Sequence, residues 1–231
     1  MHSLSEIIDV LADNDRTIVL DRLVRRNLRR GEALYFAGER VGRAHFVQSG
    51  MLKLSARSVD GAETILCLAL PGEIVGEVAA LDDLPQPLDA VAATPSVAYG
   101  MDSGLLVEIL DRNPLATIAL ARQMGQRLRW LCESAQERTS SEVPARLASR
   151  LLNLADLLGR PNAGTIEMDL PLPQHDLGSL AGMCRESACK TLRLFKSAGL
   201  LDYKGRRVRI LRPDGLEKIR CGGRLKKRIE A

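Results

Sequence analysis

Asn113-Pro114 marks a change of texture that few folds can accommodate. Before it, from about Leu28 to Glu108, Gly31, Gly38, Gly50, Gly61, Gly72 and Gly76 separate short apolar segments. These segments are Ala33-Leu34-Tyr35-Phe36, His45-Phe46-Val47, Met51-Leu52-Lys53-Leu54 and Thr64-Ile65-Leu66-Cys67-Leu68. Asp60-Gly61 between two of them is a hairpin signal, because glycine tolerates the positive φ of a tight turn. Many short strands at regular spacing predict a small antiparallel barrel or jelly roll. After it, Pro114 suits a first helical turn, and no further proline occurs before Arg138. Ile118, Ala121, Gly125, Leu128, Cys132 and Ala135 recur there at three- and four-residue steps. So narrow a stripe on so long a helix reads as the seam of a dimer. The alternative is a helix packed on its own domain.

Composition removes whole classes. The 231 residues are enough for two compact domains, and 45% hydrophobic with 27% charged residues is ordinary for a globular chain. No apolar run approaches the roughly 20 residues that span a bilayer, so no membrane partner is expected. Met1 to Val10 lacks the basic start and apolar centre of an export signal. The five cysteines, at 67, 132, 184, 189 and 221, form no CxxC pair. An odd, unpaired set predicts a reducing, cytoplasmic setting. The net charge of +4 hides an asymmetry: from Thr139 onward there are 18 Lys/Arg and 10 Asp/Glu, against 15 and 19 before it. A basic C-terminal part on an acidic body points to a polyanion at that end.

Thr139-Ser140-Ser141-Glu142 reads as a hinge and helix cap, followed by a helix from Pro144 to about Leu158 that Gly159-Arg160-Pro161 stops. His175 to Ala181 forms a short helix, Gly182-Met183-Cys184 a tight turn, and Arg185 to Ser197 a second helix. That spacing is a helix-turn-helix. In the second helix Ala188, Leu192 and Phe195 face inward, while Arg185, Glu186, Cys189, Lys190 and Arg193 share the opposite face. Polar side chains near the start of such a helix reach base edges; arginine can fork onto guanine and a carboxylate can accept from cytosine. Lys190, four residues after Glu186, can orient that carboxylate or reach DNA itself. Ser187, and Gln174 and His175 at the start of the first helix, complete the candidate reading surface. Gly199-Leu200 ends the helix. Lys204-Gly205-Arg206-Arg207 then forms a basic turn before Val208-Arg209-Ile210, a wing whose Lys204 and Arg206 would meet phosphates. Arg224-Leu225-Lys226-Lys227-Arg228 reads as a solvated basic tail.

With these parts in this order the sequence resembles the CRP/FNR superfamily of bacterial regulators over nearly its whole length. Leu28-Arg29-Arg30-Gly31-Glu32 and Ala37-Gly38-Glu39 resemble the start of that family's β-roll. Leu70-Pro71-Gly72-Glu73-Ile74-Val75-Gly76-Glu77 resembles its turn into the effector pocket, and Arg185-Glu186-Ser187-Ala188-Cys189-Lys190 its recognition helix. The resemblance implies an α+β chain: an N-terminal antiparallel β-roll of the cyclic-nucleotide-binding, jelly-roll kind, a long dimerisation helix and a C-terminal winged helix-turn-helix. The expected divisions are a sensor with an N-terminal helix over 1–112, the dimerisation helix over 113–138, the DNA-binding domain over 139–215 and the tail over 216–231. It further implies a homodimer on two half-sites of double-stranded DNA one turn apart, an inverted repeat with a TGTGA-like core, and RNA polymerase as partner if the chain activates. Lys190, where arginine is commoner, lacks the bidentate fork and weakens that core.

The resemblance also places an effector pocket at Gly76, Glu77, Gln86, Pro87, Leu131 and Cys132, and Arg127 is counted with them as a candidate pocket residue. In cAMP binders an Arg-Ser pair holds the cyclic phosphate where Gln86-Pro87 stand here, and polar residues meet the adenine where Leu131 and Cys132 stand. An anion without a charged partner binds badly, so an effector other than cAMP is expected. Arg127, like Arg122 and Arg129, is expected at the surface, although turned inward it would offer the pocket a cation. No cysteine precedes Cys67, so the iron–sulfur chemistry of the oxygen-sensing branch is not expected. Haem through His2, His45 or Cys67, or thiol oxidation at Cys132, Cys184 or Cys189, are alternative inputs; small, partly buried residues are the simpler reading of all five thiols. A jelly-roll enzyme would need clustered histidines and carboxylates, and His2, His45 and His175 do not cluster in sequence. A module whose winged helix contacts protein is the other rival.

Overall fold

A computed structural model describes residues 4–59, 61–140 and 142–223. His2, Asp60 of the hairpin signal, Ser141 of the expected hinge and the cations of the basic tail at 224–228 lie outside the described residues. The chain divides into two compact units, Met1–Leu131 and Cys132–Ala231.

The first unit opens with helices α1 (Glu6–Asp9) and α2 (Asp13–Arg22). Eight strands follow: β1 (Val24–Leu28), β2 (Ala33–Tyr35), β3 (Arg43–Ser49), β4 (Leu52–Arg57), β5 (Glu63–Ala69), β6 (Ile74–Val75), β7 (Asp89–Ala92) and β8 (Ser96–Asp102). They form two four-stranded antiparallel sheets, ordered β1-β8-β3-β6 and β2-β7-β4-β5. Short helices α3 (Glu77–Asp82) and α4 (Ser103–Arg112) precede α5 (Pro114–Ser140). Asp102 caps α4 by accepting from the Gly104 and Leu105 amides at 2.9 and 3.3 Å, satisfying donors that a helix start leaves orphaned.

Strand alternation explains how one sheet serves two cores. Ala44 and Phe46 of β3 pack with Ile74, Met101, Leu106 and Ile109 toward the helices, while Val47 turns into the roll with Leu28, Leu52, Leu54 and Ala98. The β4–β5 hairpin predicted from Asp60-Gly61 is present, its turn closed by Ser58 N–H to the Ala62 carbonyl at 3.0 Å.

The second unit comprises the last turns of α5 and then α6 (Val143–Leu158), β9 (Arg160–Asn162), β10 (Thr165–Asp169), α7 (Gln174–Leu180), α8 (Arg185–Ser197), β11 (Leu201–Lys204), β12 (Arg207–Ile210) and α9 (Pro213–Arg220). The predicted hairpin wing is present as β11–β12, and it belongs to a four-stranded sheet, β11-β12-β10-β9. Two expectations need correction. Helix α5 continues past Arg138 to Ser140, so the expected hinge at 139–142 is half helical. The tail expected from residue 216 begins as α9, because Leu216 and Ile219, three residues apart, are buried against α6.

Candidate nucleic-acid interface

Helix α8 is amphipathic in the sense its sequence predicts. Ala188, Thr191, Leu192 and Phe195 are buried, and Arg185, Glu186, Cys189, Lys190 and Arg193 line one shallow groove on the other side. Arg185, Glu186, Lys190 and Arg193 are all exposed, and among the described residues none of them makes an ion pair. The Glu186–Lys190 pair that their spacing allows is therefore not formed. Ser187 and Cys189 are half-buried. Cys189, a candidate reader, is already engaged: its thiol donates to Oε1 of the exposed Gln174 at 2.9 Å, tying α8 to the first turn of α7. His175 Nε2 lies 3.1 Å from a carboxylate oxygen of the buried Asp176. Cys184 caps α8, and its sulfur sits 3.2 Å from the Ser187 hydroxyl, which holds the thiol below its ordinary pKa.

Lys204 and Arg206 at the wing are exposed. Arg206 leans on Asp169 at 3.6 Å, both side chains more than half exposed; in water such a pair is weak and exchangeable. Behind the wing, Arg209 pairs with Glu167 at 2.8 Å, and Lys196 pairs with Asp202 at 2.6 Å while standing 5.2 Å above the Tyr203 ring.

The expected effector pocket is built differently from its sequence forecast. Gly76 adopts φ +77° at the start of α3, and a Cβ there would meet Gln86 Nε2 at 3.1 Å and Tyr35 Cε1 at 3.3 Å. Only glycine allows so close an approach with that backbone. Gln86 is buried and Pro87 exposed. Glu77 is 2% exposed and its Oε1 takes Nη1 of Arg127 at 2.6 Å. Arg127, expected at the surface, is thus turned inward and 15% exposed, while Arg122 and Arg129 are exposed as expected. Its second nitrogen donates to the Ile74 carbonyl at 3.0 Å. The Gln123 amide closes a pair with Ile74, accepting from its N–H at 3.1 Å and donating to its carbonyl at 2.8 Å. Burial raises the pKa of Glu77, with Arg127 opposing, and burial likewise raises Glu73. Oε2 of Glu77 is buried with no hydrogen-bond partner among the described residues.

Sequence reasoning missed Gln123 and Trp130, whose indole donates to the Leu66 carbonyl at 2.8 Å and packs on the roll interior. A signal existed: Ala116, Leu120, Gln123, Arg127 and Trp130 form a second three-and-four stripe on α5. That face packs on its own unit. The first stripe does not: Ile118, Ala121, Gly125, Leu128 and Cys132 are exposed, Leu128 to 62%. The reading of a helix packed on its own domain therefore holds for the face with Gln123 and Trp130, while the face expected to be a dimer seam stands exposed. Leu131 is half-buried and Cys132 exposed.

Of the residues considered for haem, His45 and Cys67 are buried and His2 lies outside the described residues. His45 is buried, with its imidazole 3.2 Å from where a Cβ on Gly100 would lie, and burial followed by Arg26 and Arg43 pushes its pKa down to about 4. Cys67 is buried and its thiol pushed up to about 11, chiefly by desolvation. Among the described residues no three His, Cys, Asp or Glu side chains gather as metal ligands. No described helix is long and apolar enough to cross a membrane.

The family profile described as Cyclic nucleotide-binding domain matches residues 25–113, and that described as Crp-like helix-turn-helix domain matches residues 145–219. The chain is similar to the "CRP-like cAMP-activated global transcriptional regulator" of Mycobacterium tuberculosis, 29% identical over 181 residues, covering 78% of this chain and 81% of that protein. Among solved structures it is similar to TTHB099, a transcriptional regulator of the CRP family from Thermus thermophilus, at 26% identity and a TM-score of 0.70, covering 87% of this chain and 98% of the other. FixK2 from Bradyrhizobium japonicum shares the fold at a TM-score of 0.75 and 21% identity, over 85% of this chain and 96% of its own.

Proposed function

Because the chain belongs to the CRP/FNR family of DNA-binding transcription regulators, we propose that it acts in the cytoplasm as a homodimer, reads an inverted repeat in double-stranded DNA through α8, and answers to an effector other than cAMP. In this reading residues 1–112 sense, 113–138 dimerise and 139–215 bind DNA, with RNA polymerase as a further partner if the outcome is activation. The observation that carries the DNA-reading part is the outer face of α8, where Arg185, Glu186, Lys190 and Arg193 stand exposed, without ion pairs among the described residues. Charged groups left unneutralised beside a basic wing are available to bases and phosphates. The exposed stripe from Ile118 to Cys132 supports the dimer, since apolar side chains on a long helix gain most by facing a second copy. It continues sideways into an apolar groove lined by Leu81, Val107, Pro114 and Ile118.

The effector part rests on charge. Arg127 is the cation turned into the roll, and Glu77 already neutralises it. Gln86 supplies no charge in its place, and Glu73 adds a second, half-buried carboxyl. A phosphate entering there loses water and gains no free cation. The unpartnered Oε2 of Glu77 instead suits a ligand that donates hydrogen bonds. Selection of duplexes from a random pool by the full chain tests the regulator: an enriched inverted repeat with a steep loss of affinity in salt is expected. A winged helix that contacts protein would enrich nothing. Titration calorimetry tests the effector, and micromolar cAMP binding would overturn that part alone.

A further inference from the structure

Arg150, on α6, is the bulkiest side chain to be fully buried in the described residues, at 2% exposure among Leu147, Leu151 and Leu154. Its Nη2 meets Oε2 of Glu137, in the last turns of α5, and the neighbouring Ser149 hydroxyl donates to Oε1 of the same carboxylate. Both oxygens of Glu137 are thus held from α6. One residue on, Arg138 lies against the turn between α7 and α8: a Cβ on Gly182, which has φ +63°, would sit 2.9 Å from Arg138 Nε. From α6, Arg146 donates to the carbonyls of Ala181 and Gly182 at 3.3 and 3.4 Å. The helix-turn-helix corner is therefore hydrogen-bonded by Arg146 from α6 and closely approached by Arg138 from α5, the two helices that the buried pair joins.

A buried ion pair gains little stability over an apolar pair of the same volume, because desolvating both charges offsets their attraction. What a guanidinium–carboxylate pair adds is direction, since the fork accepts a narrow range of geometries. We infer that Glu137 and Arg150 are positioning residues for DNA recognition: their pair holds the end of α5 in one orientation on α6 and, through Arg138 and Arg146, fixes the turn that aims α8. In the dimer proposed above, this makes the spacing and angle of the two reading helices a property of α5. That consequence rests on the DNA-binding reading, whereas the local lock does not.

The test compares the full-length chain with its Glu137→Leu/Arg150→Met double variant, which removes the direction but leaves no charge buried alone. Hydrogen exchange without DNA reads the lock: the Ala181 and Met183 amides, bonded to Leu177 and Gly178 carbonyls, should exchange about ten-fold faster while α6 interior amides do not change. Equal exchange in both proteins overturns the inference whatever DNA does. Binding to the duplex selected on the parent, and to the same duplex with one base pair added between half-sites, reads the aim. The parent should discriminate about ten-fold or more and the double variant about three-fold or less, at similar non-specific affinity. Undiminished discrimination overturns the positioning role. So does loss of a cooperative melt, which would mean that the pair holds the fold together. If the parent enriches no duplex, the DNA-binding reading fails and the exchange experiment alone decides the lock.

Discussion

Helix α8 and the β6–α3 corner treat their charges in opposite ways. On α8, Arg185, Lys190 and Arg193 stand in water without ion pairs among the described residues, at almost no cost to the fold. At the corner, Glu77 and Arg127 have left water and depend on each other, with Ile74 and Gln123 completing the polar contacts. Unspent charge on a surface is a capacity to bind, and mutually neutralised charge in a core is a commitment to one structure. Substitutions in the two regions should therefore divide cleanly between stability and affinity.

The largest effect is expected at the corner. Glu77→Leu leaves Arg127 facing the core unpaired and should lower unfolding stability by about 3–5 kcal/mol, read by denaturant titration. Replacing both residues, Glu77→Leu with Arg127→Met, should return most of the loss. A single variant as stable as the parent would place Arg127 in water and end the contrast.

His45 should give the next effect, through pH. Its pKa falls from 6.5 to about 4 on folding, so between these values the unfolded chain holds the proton that the folded chain refuses. Stability is then present above pH 6.5 and is lost as the pH falls toward 4, by about 3 kcal/mol in all. Glu73 and Glu77 run the other way: with raised pKa values, they favour the fold below the ordinary carboxylate range and oppose it as the pH rises through their own. His45→Gln should flatten the acid limb of the stability profile, and an unchanged limb would show that the imidazole is hydrated.

Arg185→Ala should do the reverse of Glu77→Leu. Stability should stay within about 0.5 kcal/mol, while affinity for the selected duplex falls by about 1–3 kcal/mol and affinity for random duplex stays nearly level. A gel-shift titration showing equal loss on both would remove Arg185 from base reading and leave it to serve phosphate.

The contrast also governs what could be read from the sequence. Helix α8 was legible to the residue, Arg185–Ser197, because its inward spacing at 188, 192 and 195 and the glycine turn before it are local signals. The roll was legible through its turn glycines. Strand β9 was not: Arg160-Pro161-Asn162 is short and exposed, and it resembles a helix stop. It holds a proline because it is an edge strand, where a missing N–H costs nothing. The inward turn of Arg127 was also hidden, since its partners Glu77 and Ile74 lie 50 and 53 residues away and no local periodicity announces them. Neighbours in sequence advertise surface chemistry. Partners brought together by the fold decide buried chemistry.

The wing gives the smallest effect and the finest division. Arg206 is exposed and engaged only loosely by Asp169 at 3.6 Å, so it lies between the free charges of α8 and the committed pair at the corner. If it serves DNA, leaving Asp169 costs little, and Arg206→Ala should weaken binding to every duplex by a similar small factor. It should also lower the slope of log affinity against log salt by about one for each phosphate that Arg206 neutralises. Asp169→Asn separates the two allegiances: freeing Arg206 should strengthen binding slightly if the wing meets phosphate. Should neither substitution move the salt slope, Arg206 belongs to the sheet and serves no phosphate.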